Sequence, residues 1–180
     1  MKLIGICGKA RSGKDTAADY IVEECGFNKY SMADPIRSML DSIGVDPSFN
    51  KEDPVDRFGK SPRQMMQTLG TEWMRNTVNE DGWLNLAKIE YELCLRESDF
   101  YGLVIPDIRF ENEAEWIRQN GMLIRIVRPD AMEVASHSSE NGISTEAVDE
   151  IIWNNGSLDL LYRKLNVVMG IKDGKEAVQL

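Results

Sequence analysis

The sequence predicts an α/β fold in which helices cover both faces of a five-stranded parallel sheet, so that the protein has three layers. Short apolar or β-branched runs suited to buried strands alternate along the chain with segments of helical periodicity. Such alternation is typical of parallel sheets, because the crossover between two parallel strands usually carries a helix. The 180 residues are enough for one domain with a sizeable core.

Local patterns locate the individual elements. Apolar runs predict strands over residues 3–7, 29–32, 102–106, 122–127 and 148–153. Helical periodicity and terminating glycines predict helices over residues 13–24, 33–44, 83–97, 111–119 and 158–165. Residues 45–60 contain two prolines, a glycine and many charges, which indicates an exposed loop.

A further helix has an unusually clear start at Ser61. Pro62 occupies the first helical position and Gln64 completes a capping box. Helical spacing predicts an inner side with Met65, Met66, Leu69 and Trp73, and a separate polar stripe with Arg63, Gln67, Gly70 and Thr71. Glycine inside a helix costs about 1 kcal/mol against alanine. Gly70 therefore indicates a close approach to the backbone, either by a ligand or by another helix.

Composition limits the function classes. The formal net charge of −9 argues against a nucleic-acid surface, which needs a broad basic face. A small anionic substrate needs only a local cluster, such as Lys9, Arg11 and Lys14. The three cysteines show no metal or redox spacing. The chain enters its first strand at once and has no apolar stretch near the ~18 residues that span a bilayer, so we expect a cytoplasmic protein without membrane partners.

Residues Gly8–Thr16 read Gly-Lys-Ala-Arg-Ser-Gly-Lys-Asp-Thr and lie between the first strand and the first helix. This is the arrangement of a phosphate-binding loop. Gly8 and Gly13 allow successive main-chain N–H groups to face one anion, and the helix directs its positive end at the same place. Lys14 supplies a mobile charge for the β- and γ-phosphates. The sequence therefore predicts a nucleotide-handling enzyme.

The loop departs from the usual pattern at one position. The usual Gly-Lys-Ser/Thr ending supplies a hydroxyl that ligates Mg²⁺, whereas here Asp15 holds that place and Thr16 follows. Since Mg²⁺ keeps several of its waters, an aspartate can hold the ion through its water shell. The sequence leaves open which of the two residues does so.

The third strand is followed by two further candidates, because ligands of open α/β sheets bind at the carboxyl ends of the strands. Asp107 is suited to order the water shell of Mg²⁺, and Arg109 is suited to clamp a phosphate bidentately. The alternative is a surface ion pair with Glu111 or Glu113. Both alternatives stay open at the level of sequence.

The polar segment of residues 128–147 begins at Arg128, and we expect it to form a lid that excludes water from the reacting phosphates. His137, the only histidine, is interpreted as a surface residue in preference to a catalytic one. Phosphoryl transfer depends on positioning and charge neutralisation more than on a strong base. An acceptor that is itself a phosphate has a second pKa of about 6 and is largely ionised already. Such an acceptor suits a chain with many arginines and one histidine.

Six segments together carry a family resemblance: 8–18, 61–73, 106–113, 125–129, 136–140 and 154–157. They resemble the bacteriophage deoxynucleoside monophosphate kinases over nearly the whole chain. The resemblance implies the P-loop kinase fold with a five-stranded parallel core and a lid. It also implies transfer of phosphate from ATP to a deoxynucleoside monophosphate with Mg²⁺, small nucleotide ligands, and a host-cytoplasmic location if the chain is phage-encoded.

The resemblance also assigns regions and residues, with one kinase domain over 1–180, an acceptor-binding region at 33–100 and a lid at 128–147. The implied ATP-binding residues are Gly8, Lys9, Arg11, Ser12, Gly13, Lys14, Asp15, Thr16, Asn155, Gly156 and Ser157. The implied monophosphate-binding residues are Asp34, Arg37, Arg63, Gln67, Trp73, Asp107 and Arg109. The implied catalytic residues are Lys14, Arg109 and Arg128, and the implied Mg²⁺ residues are Asp15, Thr16 and Asp107.

Other functions compete with this one. A Gly-Lys-Asp ending also occurs in phosphomevalonate kinases, and the Asn-Gly-Ser turn is similar to that of dephospho-coenzyme A kinases. The helix from Ser61 favours the phage family over both. A nucleotide-binding regulatory switch is the alternative from another class, although the chain shows no switch or base-specificity motif. Related kinases occur as monomers and dimers, and we expect a homodimer.

Overall fold

The computed structural model describes residues 2–97, 99–129, 143–144 and 148–171, which form two compact units. One unit comprises residues 2–29 with the described residues from 99 onward, and the other comprises residues 30–97. The helices, in chain order, are α1 Lys14–Cys25, α2 Asp34–Ser42, α3 Pro62–Gln67, a π-helix Thr68–Val78, α4 Gly82–Arg96, α5 Glu111–Asn120 and α6 Leu158–Met169. None of these described helices is both long enough and apolar enough to cross a membrane.

The first unit contains one sheet, in which the described strands are all parallel and follow the order β2-β3-β1-β4-β5. The strands, in chain order, are β1 Leu3–Cys7, β2 Phe27–Lys29, β3 Gly102–Ile105, β4 Met122–Val127 and β5 Glu150–Trp153. Every residue of β1 is buried, as a central strand covered on both faces requires. The predicted five-stranded parallel sheet is confirmed.

Helices cover both faces of this sheet. Ala17 and Ile21 of α1 and Leu165 of α6 join strand residues that include Ile4 and Ile6 in one hydrophobic cluster. Gly5, between those two isoleucines, faces the other way. There a Cβ would lie 2.8 Å from Cγ2 of Ile117 on α5, so α5 packs closely on the opposite face. The three predicted layers are therefore α1 with α6, the sheet, and α5.

The predicted second strand is wrong in position. It was expected over residues 29–32, whereas β2 is Phe27–Lys29. α1 ends at Cys25 and is capped by Gly26, which has φ +66°, and the chain enters the sheet immediately afterwards. Ser31 is part of the expected strand but belongs to a turn that starts α2. Its N–H donates to Asp34 Oδ2 at 3.1 Å, and its carbonyl oxygen accepts from Asp34 N at 2.9 Å.

The second unit contains α2, α3, the π-helix and α4. The capping box that starts α3 is confirmed, because Gln64 N donates to Ser61 Oγ at 3.3 Å and Ser61 N donates to Gln64 Oε1 at 3.0 Å. The exposed loop before it is also confirmed. Arg57 stabilises that loop by donating from Nη2 to the carbonyl oxygens of Ile43 and Gly44.

The helix that follows Ser61 does not keep α-helical spacing. After Gln67 it continues as the π-helix, which ends with Asn79 N donating to Met74 O, five residues back, at 2.7 Å. Trp73, predicted on the inner side, is therefore 40% exposed, and Thr71, predicted in the polar stripe, is 8% exposed. A Cβ on Gly70 would lie 3.0 Å from Ile36 Cδ1 of α2, which supports helix packing as the reason for this glycine.

Candidate active site

The loop between β1 and α1 has backbone geometry that glycine alone supplies at two positions. Gly8 has φ +143° and Gly13 has φ +104°. A Cβ on Gly8 would lie 2.3 Å from the main-chain oxygen of Ile126, so any side chain there would collide with β4. Arg11 also has a left-handed conformation, with φ +62°. The chain therefore makes the tight, glycine-dependent turn that a phosphate-binding loop requires.

Lys14 places its ammonium group against this loop. Its Nζ donates to the carbonyl oxygens of Gly8 at 2.9 Å and Lys9 at 2.7 Å. Because α1 begins at Lys14, the ammonium group and the positive end of the helix lie at the same place. The arrangement concentrates positive potential in a chain whose net charge is negative.

Ser12 contributes a buried polar atom to the loop. Its Oγ is the one buried side-chain polar atom, within the described part of the chain, that has no hydrogen-bond partner. A buried hydroxyl without a partner costs about 1–3 kcal/mol. On the main chain, Ser12 N donates to Lys9 O at 3.3 Å and Ser12 O accepts from Asn154 Nδ2 at 2.8 Å. An orphaned hydroxyl in such a loop fits a site whose phosphate or water completes its hydrogen bonding.

The residues expected to hold Mg²⁺ include an accessible carboxylate. The side chain of Asp15 is 83% exposed and lies 3.8 Å from Lys29 Nζ, which forms its shorter ion pair, of 2.8 Å, with Asp19. In residues 2–97, 99–129, 143–144 and 148–171, no three His, Cys, Asp or Glu side chains form a metal-binding cluster. Mg²⁺ is usually held by one or two carboxylates, its own waters and substrate phosphates, and the exposed Asp15 carboxylate is suited to supply one such ligand. The donor chemistry therefore fits Mg²⁺.

Asp107 and Arg109 follow β3 at the same edge of the sheet as the loop. Between them, Ile108 N donates to the carbonyl oxygen of Ile6 in β1 at 3.2 Å. Glu113 is almost fully buried, and its Oε2 accepts from the main-chain N–H groups of Arg109 at 2.8 Å and Phe110 at 3.1 Å. Glu113 thus contacts the backbone at Arg109 and fixes the turn that presents Asp107 and Arg109.

Arg125, on β4 beside Cys7, fixes the segment at residues 143–144. Its Nη2 donates to the carbonyl oxygens of Ile143 and, at 3.1 Å, Ser144, while Ser144 N donates to Glu111 Oε1 at 2.7 Å. Burial raises the pKa of the Cys7 thiol, although a hydrogen bond from Arg125 and its positive charge oppose the shift. Arg125 is therefore a half-buried residue with structural contacts.

Arg128 is exposed directly after β4. Most of the expected lid, with His137 and the motif at 136–140, lies outside the described residues. The turn Asn155–Ser157 follows β5 at the carboxyl edge of the sheet. Ser157 Oγ caps α6 by accepting from Leu160 N at 3.3 Å. The first unit therefore brings the loop, Asp107, Arg109, Arg128 and this turn to one edge.

The remaining expected residues lie in the second unit. Arg37 pairs with Asp34 through Nη1 and Oδ1 at 2.5 Å, and the same Nη1 donates to Ser31 Oγ at 3.2 Å. Arg63 on α3 pairs with Glu52 at 3.3 Å. Gln67 and Trp73 follow on α3 and the π-helix. Both arginines are held by carboxylates that are more than half exposed, so an incoming anion can compete for them.

Comparison with known proteins decides the family. The family model for deoxynucleotide monophosphate kinases matches residues 2–53 and 49–165. The chain belongs to the deoxynucleotide monophosphate kinase family. A relative from Acanthamoeba polyphaga mimivirus, whose name carries the same activity, is 31% identical over 92% of this chain and 94% of its own. The deoxynucleotide monophosphate kinase of Enterobacteria phage T4 is 26% identical over 92% of this chain and 97% of its own.

Solved structures support the fold of this kinase. Dephospho-CoA kinase from Campylobacter jejuni is 14% identical to this chain, and the match covers 94% of this chain and 96% of that kinase at a TM-score of 0.50. Shikimate kinase from Acinetobacter baumannii is 16% identical, and the match covers 96% of this chain and 95% of that kinase, also at a TM-score of 0.50. These likenesses show a P-loop kinase fold and no more.

The family assignment also decides between the functions left open by the sequence. The chain is a phosphotransferase of the deoxynucleotide monophosphate kinase type, so it uses ATP and nucleotide substrates. The contacts of two residues were missed by sequence reasoning: Glu113, named there only as a possible ion-pair partner, fixes the Asp107–Arg109 turn, and Asn154, named there only within the segment 154–157, donates to Ser12 O of the loop. A glutamate at the third position of α5 was a usable signal, because its carboxylate can accept from the main-chain N–H at the helix start, although Phe110 has no side-chain oxygen to complete a capping box. The segment 154–157 carried part of the family resemblance, but nothing in it indicated the contact of Asn154 with Ser12, because the two residues are 142 positions apart.

Proposed function

We propose that this kinase transfers the γ-phosphoryl group of ATP to a deoxynucleoside monophosphate, giving ADP and the deoxynucleoside diphosphate. The observation that carries the proposal is the loop before α1, where Gly8 and Gly13 have positive φ and the Lys14 ammonium group lies against the main chain. What supports the choice of acceptor is the family model, which extends over most of the chain.

On the donor side, we assign the ATP phosphates to the loop Gly8–Thr16. The main-chain N–H groups at the start of α1 bind the phosphates, and Lys14 exchanges its two carbonyl partners for phosphate oxygens. Mg²⁺, when bound, neutralises charge on the β- and γ-phosphates. Asp15 or Thr16, together with Asp107, would hold it. The turn Asn155–Ser157 is assigned to the adenine.

On the acceptor side, we assign the monophosphate to Arg37 and Arg63, with Asp34 orienting Arg37. In the free protein, carboxylates occupy both guanidinium groups, and a phosphate with two negative charges replaces them more favourably. Gln67 and Trp73, which follow Arg63 along the same helical segment, are assigned to the nucleoside. Exposure of Trp73 leaves its ring available to a ligand.

The chemical step needs charge neutralisation more than a base. An acceptor phosphate with a second pKa of about 6 is already ionised at neutral pH and attacks without giving up a proton to the protein. Arg109 and Arg128 are assigned to the oxygens of the transferring group, where negative charge is concentrated in the transition state. The lid at 128–147 would exclude water, which otherwise competes with the acceptor.

A coupled assay of ADP release tests the proposal, with ATP as donor and dTMP, dGMP, dCMP and dAMP as acceptors. We expect ADP release to depend on at least one of them, and Lys14→Met to abolish it. Lys2→Met is the matched control, because Lys2 is exposed at the opposite end of β1. Acceptor-independent ADP release, or near-normal turnover by Lys14→Met, would refute the assignment.

A Mg²⁺ titration of the same assay tests the metal assignment. Asp15→Asn removes the exposed carboxylate and Thr16→Val removes the hydroxyl with little change in volume. The variant that lacks the metal-holding group should need a higher Mg²⁺ concentration for half-maximal activity, because its site attracts the ion less. Unchanged Mg²⁺ dependence in both variants would contradict the assignment of this pair.

We further propose that the kinase is a cytoplasmic homodimer. What supports self-association is a row of apolar side chains at helical spacing on α4, where Leu86, Ile89 and Leu93 are 39%, 56% and 47% exposed. Sedimentation equilibrium of the wild type and Ile89→Lys tests this. A wild type that is monomeric at all concentrations, or an unchanged dimer in Ile89→Lys, would count against it.

A further inference from the structure

The side chain of Asn154 joins the end of β5 to the phosphate loop. Its Nδ2 donates to the carbonyl oxygen of Ser12 at 2.8 Å, between residues 142 positions apart in sequence. Asn154 is itself fixed, because its main-chain N–H donates to Val127 O at 2.7 Å and so continues the pairing of β5 with β4. The amide therefore reaches the loop from a rigid strand end.

The Asn154 side chain can occupy its position only because residue 13 is a glycine. Gly13 has φ +104°, and a Cβ there would lie 2.6 Å from Asn154 Nδ2, much closer than two such atoms approach. Gly13 thus leaves room for the amide as well as supplying the backbone turn. The amide in return occupies the space beside Gly13 and packs against the peptide that precedes it.

The hydrogen bond fixes the direction of one peptide group. Ser12 O and the N–H of Gly13 belong to the same trans peptide and point in opposite directions. With Ser12 O held toward Asn154, the Gly13 N–H points away from β5. It is one of the N–H groups of the loop that lie immediately before α1, where phosphate is expected to bind.

We propose that Asn154 is a positioning residue for the ATP triphosphate, which it serves by orienting the Ser12–Gly13 peptide. The inference rests on the proposed donor site. In this role Asn154 acts through the main chain of the loop, by its hydrogen bond to Ser12 O. Without the amide, Ser12 O loses a partner and the peptide can rotate, so that one N–H of the anion site is no longer preorganised.

The same strand end also holds the turn assigned to the adenine. Lys164 Nζ on α6 donates to Trp153 O at 2.5 Å and to Asn155 Oδ1 at 3.2 Å, on either side of Asn154. The position of the loop relative to this turn is therefore set by a segment of three residues. Asn154 thereby fixes the distance between the phosphate loop and the turn Asn155–Ser157, which one ATP molecule would have to span.

Binding of inorganic tripolyphosphate, adenosine and ATP to Asn154→Ala, measured by calorimetry, tests the inference. Loss of one amide–carbonyl hydrogen bond predicts about three- to tenfold weaker binding of tripolyphosphate and of ATP. Binding of adenosine should stay within twofold of the wild type. Asn154→Asp should weaken tripolyphosphate further, because a carboxylate faces the Ser12 carbonyl and adds negative charge near the anion.

Asn120→Ala is the matched control. Asn120 also donates its Nδ2 to a main-chain carbonyl, that of Trp116, at 2.8 Å in the same unit, but at the end of α5. It should leave all three affinities unchanged. Asn154→Ser is the second variant if Asn154→Ala does not fold, and the ¹⁵N–¹H shift of Gly13 on adding tripolyphosphate reports the peptide directly.

The outcomes separate this inference from the proposed function. A wild type that binds neither tripolyphosphate nor ATP would refute the donor site. A wild type that binds both, with folded Asn154 variants binding tripolyphosphate equally well, would refute the inference alone. Equal losses for tripolyphosphate and adenosine would also refute it, since they would indicate a general loss of structure. A smaller Gly13 shift and weaker tripolyphosphate binding in the same variants would support it.

Discussion

Gly8→Ala should damage both the stability and the ATP site of this kinase. The new methyl group would lie 2.3 Å from Ile126 O and 3.0 Å from Ser12 Oγ, so β4 or the loop has to move. Gly170→Ala is the matched substitution in the same unit, because Gly170 also has positive φ, +67°, and no atom lies within 4 Å of the added Cβ. Gly170→Ala loses about 1–2 kcal/mol through left-handed backbone strain, and Gly8→Ala loses more because φ +143° lies outside the left-handed helical region.

The difference in stability between the two variants combines the collision with β4 and the less favourable φ of Gly8. Overpacking of a rigid site costs about 1–3 kcal/mol more, so Gly8→Ala should lose about 3 kcal/mol and Gly170→Ala about 1 kcal/mol. For a protein of this size, each kcal/mol lowers Tm by about 2–4 °C. Thermal unfolding followed by far-UV circular dichroism should therefore show a drop of about 9 °C against about 3 °C.

Repeating the unfolding with ATP extends the test to function. ATP at about 100 times its Kd should stabilise the wild type and Gly170→Ala by about 2.7 kcal/mol. Gly8→Ala should lose most of this gain, because the displaced loop no longer directs its N–H groups at one anion. Equal Tm losses in the two variants, or a full ATP effect in Gly8→Ala, would refute the steric reasoning.

Three other predictions follow from contacts in the two units. Arg63→Ala should raise KM for the monophosphate at least about tenfold, because one charged hydrogen bond is lost, and should leave KM for ATP nearly unchanged. Equal effects on the two KM values in steady-state kinetics would remove Arg63 from the acceptor site. Glu113→Ala removes a buried carboxylate and leaves the N–H groups of Arg109 and Phe110 without this acceptor, so the protein should lose about 1–3 kcal/mol of stability and much of kcat. Glu113→Gln keeps an acceptor oxygen and should retain more of its stability and kcat in parallel melts and assays. Cys25, half-buried, should react with a thiol reagent before Cys7 and Cys94, which are buried. Burial and the negative charge of Glu24 raise the pKa of the Cys25 thiol. Cys25 should therefore react more slowly than a free thiol at pH 8, and its reaction should accelerate as pH rises. If Cys7 reacted before Cys25, the burial of Cys7 would be contradicted.

The fold and the donor loop were largely predictable because they depend on local rules. A β-branched run, two glycines and a lysine at fixed spacing determine the strand, the turn and the start of α1 wherever they occur. The capping box at Ser61 is equally local, and its two reciprocal hydrogen bonds are present. Even the unusual Asp15 was recognisable, since its departure from Ser or Thr is visible without any tertiary contact.

The errors arise where a distant contact decides the geometry. Spacing of 3.6 residues placed Trp73 beside Leu69, and a π-helix moves it outward. Two contacts lie near the start of that π-helix: Trp83 Nε1 donates to Gly70 O at 2.8 Å, and Ile36 packs closely against Gly70. Neither partner is close to Gly70 in sequence, so no periodicity in the helix itself could have indicated the change.

The same distinction bears on how an acidic chain would bind the two nucleotides of the proposed reaction. Net charge acts over the whole surface and is screened by salt within about 10 Å. In the proposed donor site, main-chain dipoles and the Lys14 ammonium group, which already lies against the loop, would act at contact distance, where screening is weak. Because Asn154 holds the loop through a neutral amide, the protein orients those dipoles without adding charge. Preorganised geometry can therefore determine phosphate affinity in this kinase despite a net charge of the wrong sign.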